Sequence, residues 1–176
     1  MSEGPVIGIV MGSASDMPVM SRAAEVLRDM GIRYEMKVCS AHRLPEITAE
    51  YARTARDRGL EVIIAGAGMA AHLAGSIAAY STLPVIGVPI KSGELNGMDA
   101  LLSTVQMPSG IPVATVAING AANGAFLAAA ILSIKYPEVR GILDAYRLKA
   151  KKLLLEKIDH FAPYGGRCEG LDNSYD

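Results

Sequence analysis

Cysteine is scarce: the chain carries only Cys39 and Cys168, far apart and outside any C-x-x-C pattern. Two such residues cannot build a disulfide framework, so a reducing cytoplasm is the expected location. Histidine is scarce as well. His42, His72 and His160 are too scattered to give metal-ligand spacing, and no metal is expected. An excess of charge of either sign is lacking, and a formal net charge of −1 gives no case for nucleic acid or a membrane surface as partner. The first residues, MSEGPVIGIV, have no basic stretch and no small-residue cleavage pattern, so no signal peptide is expected. No G-x-S-x-G elbow occurs, which removes one common setting for acyl transfer.

Charged side chains are missing altogether from two long stretches, Val62–Ile90 and Ala100–Ile134. Runs of this kind raise the question of membrane spans. Gly66, Gly68, Gly75, Pro84, Gly87 and Pro89 cut the first stretch, and Pro108, Gly110, Pro112 and Gly120 the second, into strand- or short-helix-length pieces. Deep burial is the better explanation, and no membrane partner is expected. Segments 70–80 and 121–134 read as helices with almost no charged face, and a helix apolar all round is covered on every side. A chain of 176 residues builds one sizeable core but can hardly cover two such helices by itself. Their Ala and Gly residues permit close approach, so they are expected to face other subunits of a homo-oligomer.

Between these landmarks, strand and helix patterns alternate. Residues 5–11 (PVIGIVM) form a continuous apolar run, as in a strand covered on both faces. Residues 17–30 follow with Met17, Met20, Ala24 and Leu27 at helical spacing. Ser15 or Asp16 suits the cap of that helix, Pro18 its first turn and Gly31 its end. Further strands are expected at 32–39, 60–65, 84–88 and 111–118. Helices are expected at 45–58, 70–80, 121–134 and 137–158, the last with a solvated basic face of Arg147, Lys149, Lys151 and Lys152. Residues 89–110 are left as a long connection, serving as a lid, a binding loop or a subunit contact. Five alternations predict right-handed βαβ crossovers, a parallel α/β sheet and ligands at the carboxyl ends of its strands. A single domain is expected over 1–161 and a flexible tail over 162–176.

Three loops at those carboxyl ends hold the groups that can do chemistry. GSASD, residues 12–16, joins a strand to a helix N-terminus. Backbone N–H groups there can hold an anion, with Ser13 and Ser15 as extra donors and Gly12 lying close to a ligand; an ordinary helix cap explains the loop equally well. This loop is neither G-x-G-x-x-G nor a Walker A sequence, so it supports neither a dinucleotide nor ATP. Asp16 can accept from ribose or ring donors, or serve as the cap. SAHRLP, residues 40–45, sets His42, whose ordinary proton affinity lies near neutrality, beside Arg43, a permanent cation able to grip a phosphate or carboxylate. A plain surface loop is the alternative. AGAGMAAHL, residues 65–73, places Gly66 and Gly68 where the backbone approaches something closely, and His72 on the first turn of a helix, where a structural histidine is the commoner case.

Taken together, GSASD, SAHR, AGAGMAAHLAG, GVPIKSGELNGMDALLSTVQMPSGIPVATVAI and AANGAFLAAAIL resemble the PurE, or AIR carboxylase, family. The resemblance runs in order from about Val6 to Tyr146, and the AGAG…AAHL segment is similar to the mutase class rather than the animal-type carboxylase. It implies a flavodoxin/Rossmann-like three-layer α/β/α sandwich with a central parallel sheet and a C-terminal helix, assembled as an octamer. It implies conversion of N5-carboxyaminoimidazole ribonucleotide, a small-molecule substrate, to the ring-carboxylated isomer without cofactor, metal or ATP. By the same resemblance Ser13, Asp16 and Arg43 contact the ribonucleotide, with Ser15 helping at the phosphate and ribose and Gly12 alongside. His42 is the implied acid–base residue. Ser40 and Ala41 belong to its loop, and Ala67, Gly68, His72 and Leu73 to the segment lining the carboxylate pocket.

Three residues depart from the family pattern: Ala14 stands at a commonly polar position, Met69 at a common glycine and Ala74 at a common proline. Met69 brings a bulky side chain beside the implied pocket. The alternatives are an aminoimidazole ribonucleotide carboxylase using free carbon dioxide, a ribonucleotide-binding module without catalysis, and, weaker, a flavin carrier.

Overall fold

The structure, a computed structural model, describes residues 6–161, with side chains as far as Ile158. The tail expected from residue 162 lies outside the described residues, as does the side chain of His160. The chain divides into two compact units, Met1–Arg140 and Gly141–Asp176. The first holds the sheet and the site described below. The second, where described, is the continuation of one helix.

Five parallel strands form the sheet: β1 (Ile7–Met11), β2 (Tyr34–Val38), β3 (Val62–Gly68), β4 (Val85–Ile90) and β5 (Ala114–Thr115). Their spatial order is β2-β1-β3-β4-β5. Every residue of β1 and β4 is buried, which explains why they read as unbroken apolar runs. Ile7, Ile9, Ile63, Ile64 and Ile86 are wholly withdrawn from water, and each such side chain stabilises the fold by roughly 1.5–3 kcal/mol. At the edge, β2 (YEMKV) is half-buried to exposed and accordingly mixes polar with apolar residues.

Six helices follow in sequence: α1 (Met17–Asp29), α2 (Pro45–Thr54), α3 (Leu73–Tyr80), α4 (Met98–Val105), α5 (Ala121–Leu132) and α6 (Pro137–Phe161). On one face of the sheet α1 packs with α5, and Gly124 of α5 brings that helix down onto Ile64, Ile86 and Val88. On the other, α2 packs with α3 over a core that includes Val10, Ile63, Ala65 and Val85. This is the three-layer α/β/α arrangement expected, with the strand order of a doubly wound flavodoxin-like fold.

Several boundaries move, each for a local reason. β3 continues through Gly66 to Gly68, because Gly66, Ala67 and Gly68 pair with Val88, Pro89 and Ile90 of β4. The expected glycine-rich turn is therefore mostly strand. α3 starts at Leu73 rather than residue 70: the left-handed Met69 (φ 53°) accepts from Ala71 N–H in a tight turn, which leaves His72 as the N-cap. β5 shrinks to two residues, with only Val116 and Asn119 donating further bonds to Gly87 and Pro89. The long connection contains α4, whose N-cap Gly97 is left-handed (φ 89°) and whose sequence carries one charged residue. The two uncharged helices are not covered all round within the chain. α5 buries Ala121, Ala125, Ala128 and Ala129 but leaves Leu127 36% exposed. No described helix is long and apolar enough to cross a membrane.

Candidate active site

The strand order reverses direction of growth between β1 and β3, and ligands of such sheets bind at the carboxyl ends beside that point. Parallel pairing brings the ends of the strands level: Met11 lies opposite Gly66 and Val38, and Gly12 N–H donates to the Gly66 carbonyl at 3.0 Å. The loops leaving β1, β2, β3 and β4 therefore meet at one edge.

The loop after β1 is a single 3-10 turn, Ala14–Asp16, ahead of α1. Ser13, rather than Ser15 or Asp16, performs the capping, and it caps this turn. Its Oγ accepts from the Ser15 N–H at 3.3 Å and from the Ser15 hydroxyl at 2.9 Å, while its own N–H donates to Asp16 Oδ2 at 3.0 Å. Asp16 makes no side-chain cap on α1, because the extra turn stands between cap and helix. Only 8% of Asp16 is exposed. Burial pushes its carboxyl up from the usual range, against the pull of the Ser13 N–H. Cap and cavity wall are thus the same residues.

After β2, Cys39 N–H donates to the Met11 carbonyl at 2.8 Å, and Leu44 N–H closes a turn onto Ser40 at 2.8 Å. Within that turn Arg43 Nε donates to Ser40 Oγ at 3.1 Å. Pro45 then sits in the first turn of α2, fixing where the loop stops. After β3, the Met69 carbonyl accepts from Ala71 N–H at 2.8 Å, and His72 becomes the N-cap residue of α3. Its Nε2 lies 2.9 Å from Ser76 Oγ one turn on. The imidazoles of His42 and His72 stack with centroids 5.2 Å apart and planes 27° from parallel.

A cavity of about 540 Å3 opens between these loops. From the first loop it is lined by Gly12, Ser13, Ser15 and Asp16; from the second by Ser40, Ala41, His42 and Arg43. Ala67, Gly68, His72 and Leu73 supply the third wall. Every residue expected at the site is brought to this one cavity. Met69, Ala70 and Ser92 join them, Ser92 from the loop after β4. A hollow of about 600 Å3 beside Lys37, Glu46, Tyr51 and Arg58 is no smaller, but it contains no histidine. Among the described residues, no three of His, Cys, Asp and Glu come together as metal ligands would.

The model of the family described as AIR carboxylase matches residues 6–152. The chain belongs to the AIR carboxylase family. It is 65% identical to the N5-carboxyaminoimidazole ribonucleotide mutase of Pyrococcus abyssi, over 84% of this chain and 85% of that protein. It is 54% identical to the enzyme of that name from Bacillus subtilis, over 88% of this chain and 97% of the other. Among solved structures, Treponema denticola PurE superimposes with a TM-score of 0.81 at 30% identity, covering 89% of this chain and 98% of that one. In this member of the AIR carboxylase family, Ser92 is the wall residue that sequence reasoning missed. It falls in the 89–110 connection, which shows no periodicity, and pairing of β3 with β4 is what carries it to the cavity.

Proposed function

We propose that this chain is an isomerase that moves the carboxyl group of N5-carboxyaminoimidazole ribonucleotide from the exocyclic nitrogen to a ring carbon, a step of purine biosynthesis. One observation carries the reading: His42, Arg43, the Ser13–Asp16 turn and the Gly68–His72 segment line a single cavity at the carboxyl edge of the sheet. The mutase name of the relatives supports it.

The residue types suit that chemistry. Ser13, Ser15, Arg43 and the N–H groups of the first turn bind phosphate and ribose, and Asp16 accepts from the sugar or ring. His42, as imidazolium, donates its proton to the carbamate nitrogen. The N–C bond then breaks, its electron pair staying on nitrogen, and carbon dioxide is released into the pocket. The nucleophilic ring carbon attacks it and forms the new C–C bond. The ring carbon now bears an extra proton, which neutral His42 removes, returning to its starting form. Protons balance over the cycle, and the residues require no redox step. Ala67, Ala70 and Leu73 give a small uncharged gas an apolar wall. We place the enzyme in the cytoplasm, as a homo-oligomer that the family resemblance makes an octamer, with residues 1–161 as the catalytic domain.

Conversion of fresh carbamate substrate in the presence of labelled bicarbonate tests the reading, with His42→Asn alongside. Ring carboxylation with little label, reduced about 100-fold or more in the variant, is expected. Label entering at the full rate selects the carboxylase instead, and tight binding without turnover selects a binding module.

A further inference from the structure

We propose that Ser92 is a carboxylate-binding residue, its hydroxyl donating to the migrating carboxyl group; the inference rests on the isomerase reading. Ser92 lines the cavity, yet its Oγ is buried and has no hydrogen-bond partner among the described residues. A buried hydroxyl without a protein partner calls for an explanation, and in a cavity wall the simplest is a polar atom of the ligand.

The hydroxyl is not consumed in holding its own loop. That task falls to Asn119, which accepts from Lys91 N–H through Oδ1 at 2.8 Å and donates its own N–H to the Pro89 carbonyl at 2.8 Å. Asn119 does this from a left-handed backbone (φ 59°), a conformation asparagine tolerates better than most residues. The loop is therefore fixed at Pro89 and Lys91, and the Ser92 side chain is left for another use.

Gly68 decides where that side chain sits. A Cβ at position 68 would collide with Ser92 Oγ and lie 3.2 Å from the Ile90 carbonyl. The bare glycine lets the hydroxyl rest against the end of β3, on the wall that continues into Met69 and His72. The segment after β3 that lines the same cavity also brings the apolar Ala67, Ala70 and Leu73. Arg43 and the Ser13–Asp16 turn occupy the β1 and β2 side and suit the phosphate end. That leaves the β3 and β4 side for the carboxyl group, where one neutral donor can orient an oxygen without trapping it as a guanidinium would. A site built to hydrogen-bond a group discriminates against a ligand that lacks it.

Calorimetric titration with two ribonucleotides tests this, one carrying the ring carboxylate and one lacking it, on the wild type, Ser92→Ala and Ser92→Cys. The expected result is an approximately ten-fold or greater loss of affinity for the carboxylated ligand in Ser92→Ala. Ser92→Cys should show a smaller loss, and the uncarboxylated ligand should bind all three within two-fold, roughly. Equal losses for both ligands, or none for either, overturn the assignment. Should Ser92→Ala not fold, the near-isosteric cysteine variant decides by the same ratio. A wild type that binds both ligands but never interconverts carbamate and ring carboxylate refutes the isomerase reading, while the affinity ratio still judges Ser92.

Discussion

Met69 holds a backbone conformation that its side chain disfavours. At φ 53° a residue with a Cβ pays roughly 1–2 kcal/mol that glycine does not. Packing returns little of this, because Met69 is 61% exposed. Glycine, in turn, loses more freedom on folding, by about 0.5–1 kcal/mol. Met69→Gly is therefore expected to stabilise the protein by up to about 1 kcal/mol in denaturant titration. A loss of stability would show that the thioether makes contacts outweighing its backbone strain. Strain at a cavity wall commonly has a use, and here Met69 both lines the cavity and is exposed. Asp16 follows similar logic: its burial disfavours the carboxylate, yet the proposed contact to sugar or ring requires a strong acceptor there.

At the scale of elements, the fit of α2 against β1 rests on Gly8. A Cβ there would collide with the hydroxyl of Tyr51, a side chain of α2 that is 5% exposed and backed by the Arg58 guanidinium 4.6 Å from its ring centre. Gly8→Ala is expected to cost about 1–3 kcal/mol by overpacking. Removing the hydroxyl with Tyr51→Phe should recover a large part of that cost, which a double-mutant cycle of unfolding free energies measures. Strictly additive costs would show that α2 moves as a whole instead. Such couplings also explain what the sequence made legible. β1 and the Met20–Leu27 face of α1 were readable because burial on both faces, or on one, leaves a periodic signature in a single segment. The GSASD and SAHRLP loops and the end of AGAGMAAHL were readable because each lies at the end of a strand and the topology rule sends strand ends to one edge. α4 was missed because its start is set by a left-handed Gly97 inside a connection without periodicity. The length of β3 was missed because glycines that look like a turn are held in register by β4. Ser92 was missed for the same reason, since its place depends on partners far away in sequence.

For the whole molecule, the chain leaves apolar surface that one copy does not cover. On α4, Met98 (52% exposed), Leu102 (52%) and Val105 (47%) recur at helical spacing, with Leu95 (63%) just before them. Ile134, just beyond α5, is 88% exposed. A continuous apolar stripe on a helix marks a contact surface more often than a solvated one. The cavity points the same way. His42, Met69 and His72 are exposed in the single chain, whereas the proposed release and recapture of carbon dioxide calls for a closed pocket. Self-association over such faces would supply cover that the chain lacks, and it accounts for helices with so little charge. Leu102→Glu places a charge in the middle of the α4 stripe without touching the core, since residue 102 is exposed. Sedimentation velocity is expected to show smaller species for Leu102→Glu than for the wild type, with the far-ultraviolet circular dichroism of the fold retained. Labelled-bicarbonate uptake per turnover should rise in those smaller species, because an open site loses carbon dioxide before capture. An assembly of unchanged mass in Leu102→Glu would remove α4 from the interface and leave the α5 side, with Leu127 and Ile134, as the face to test.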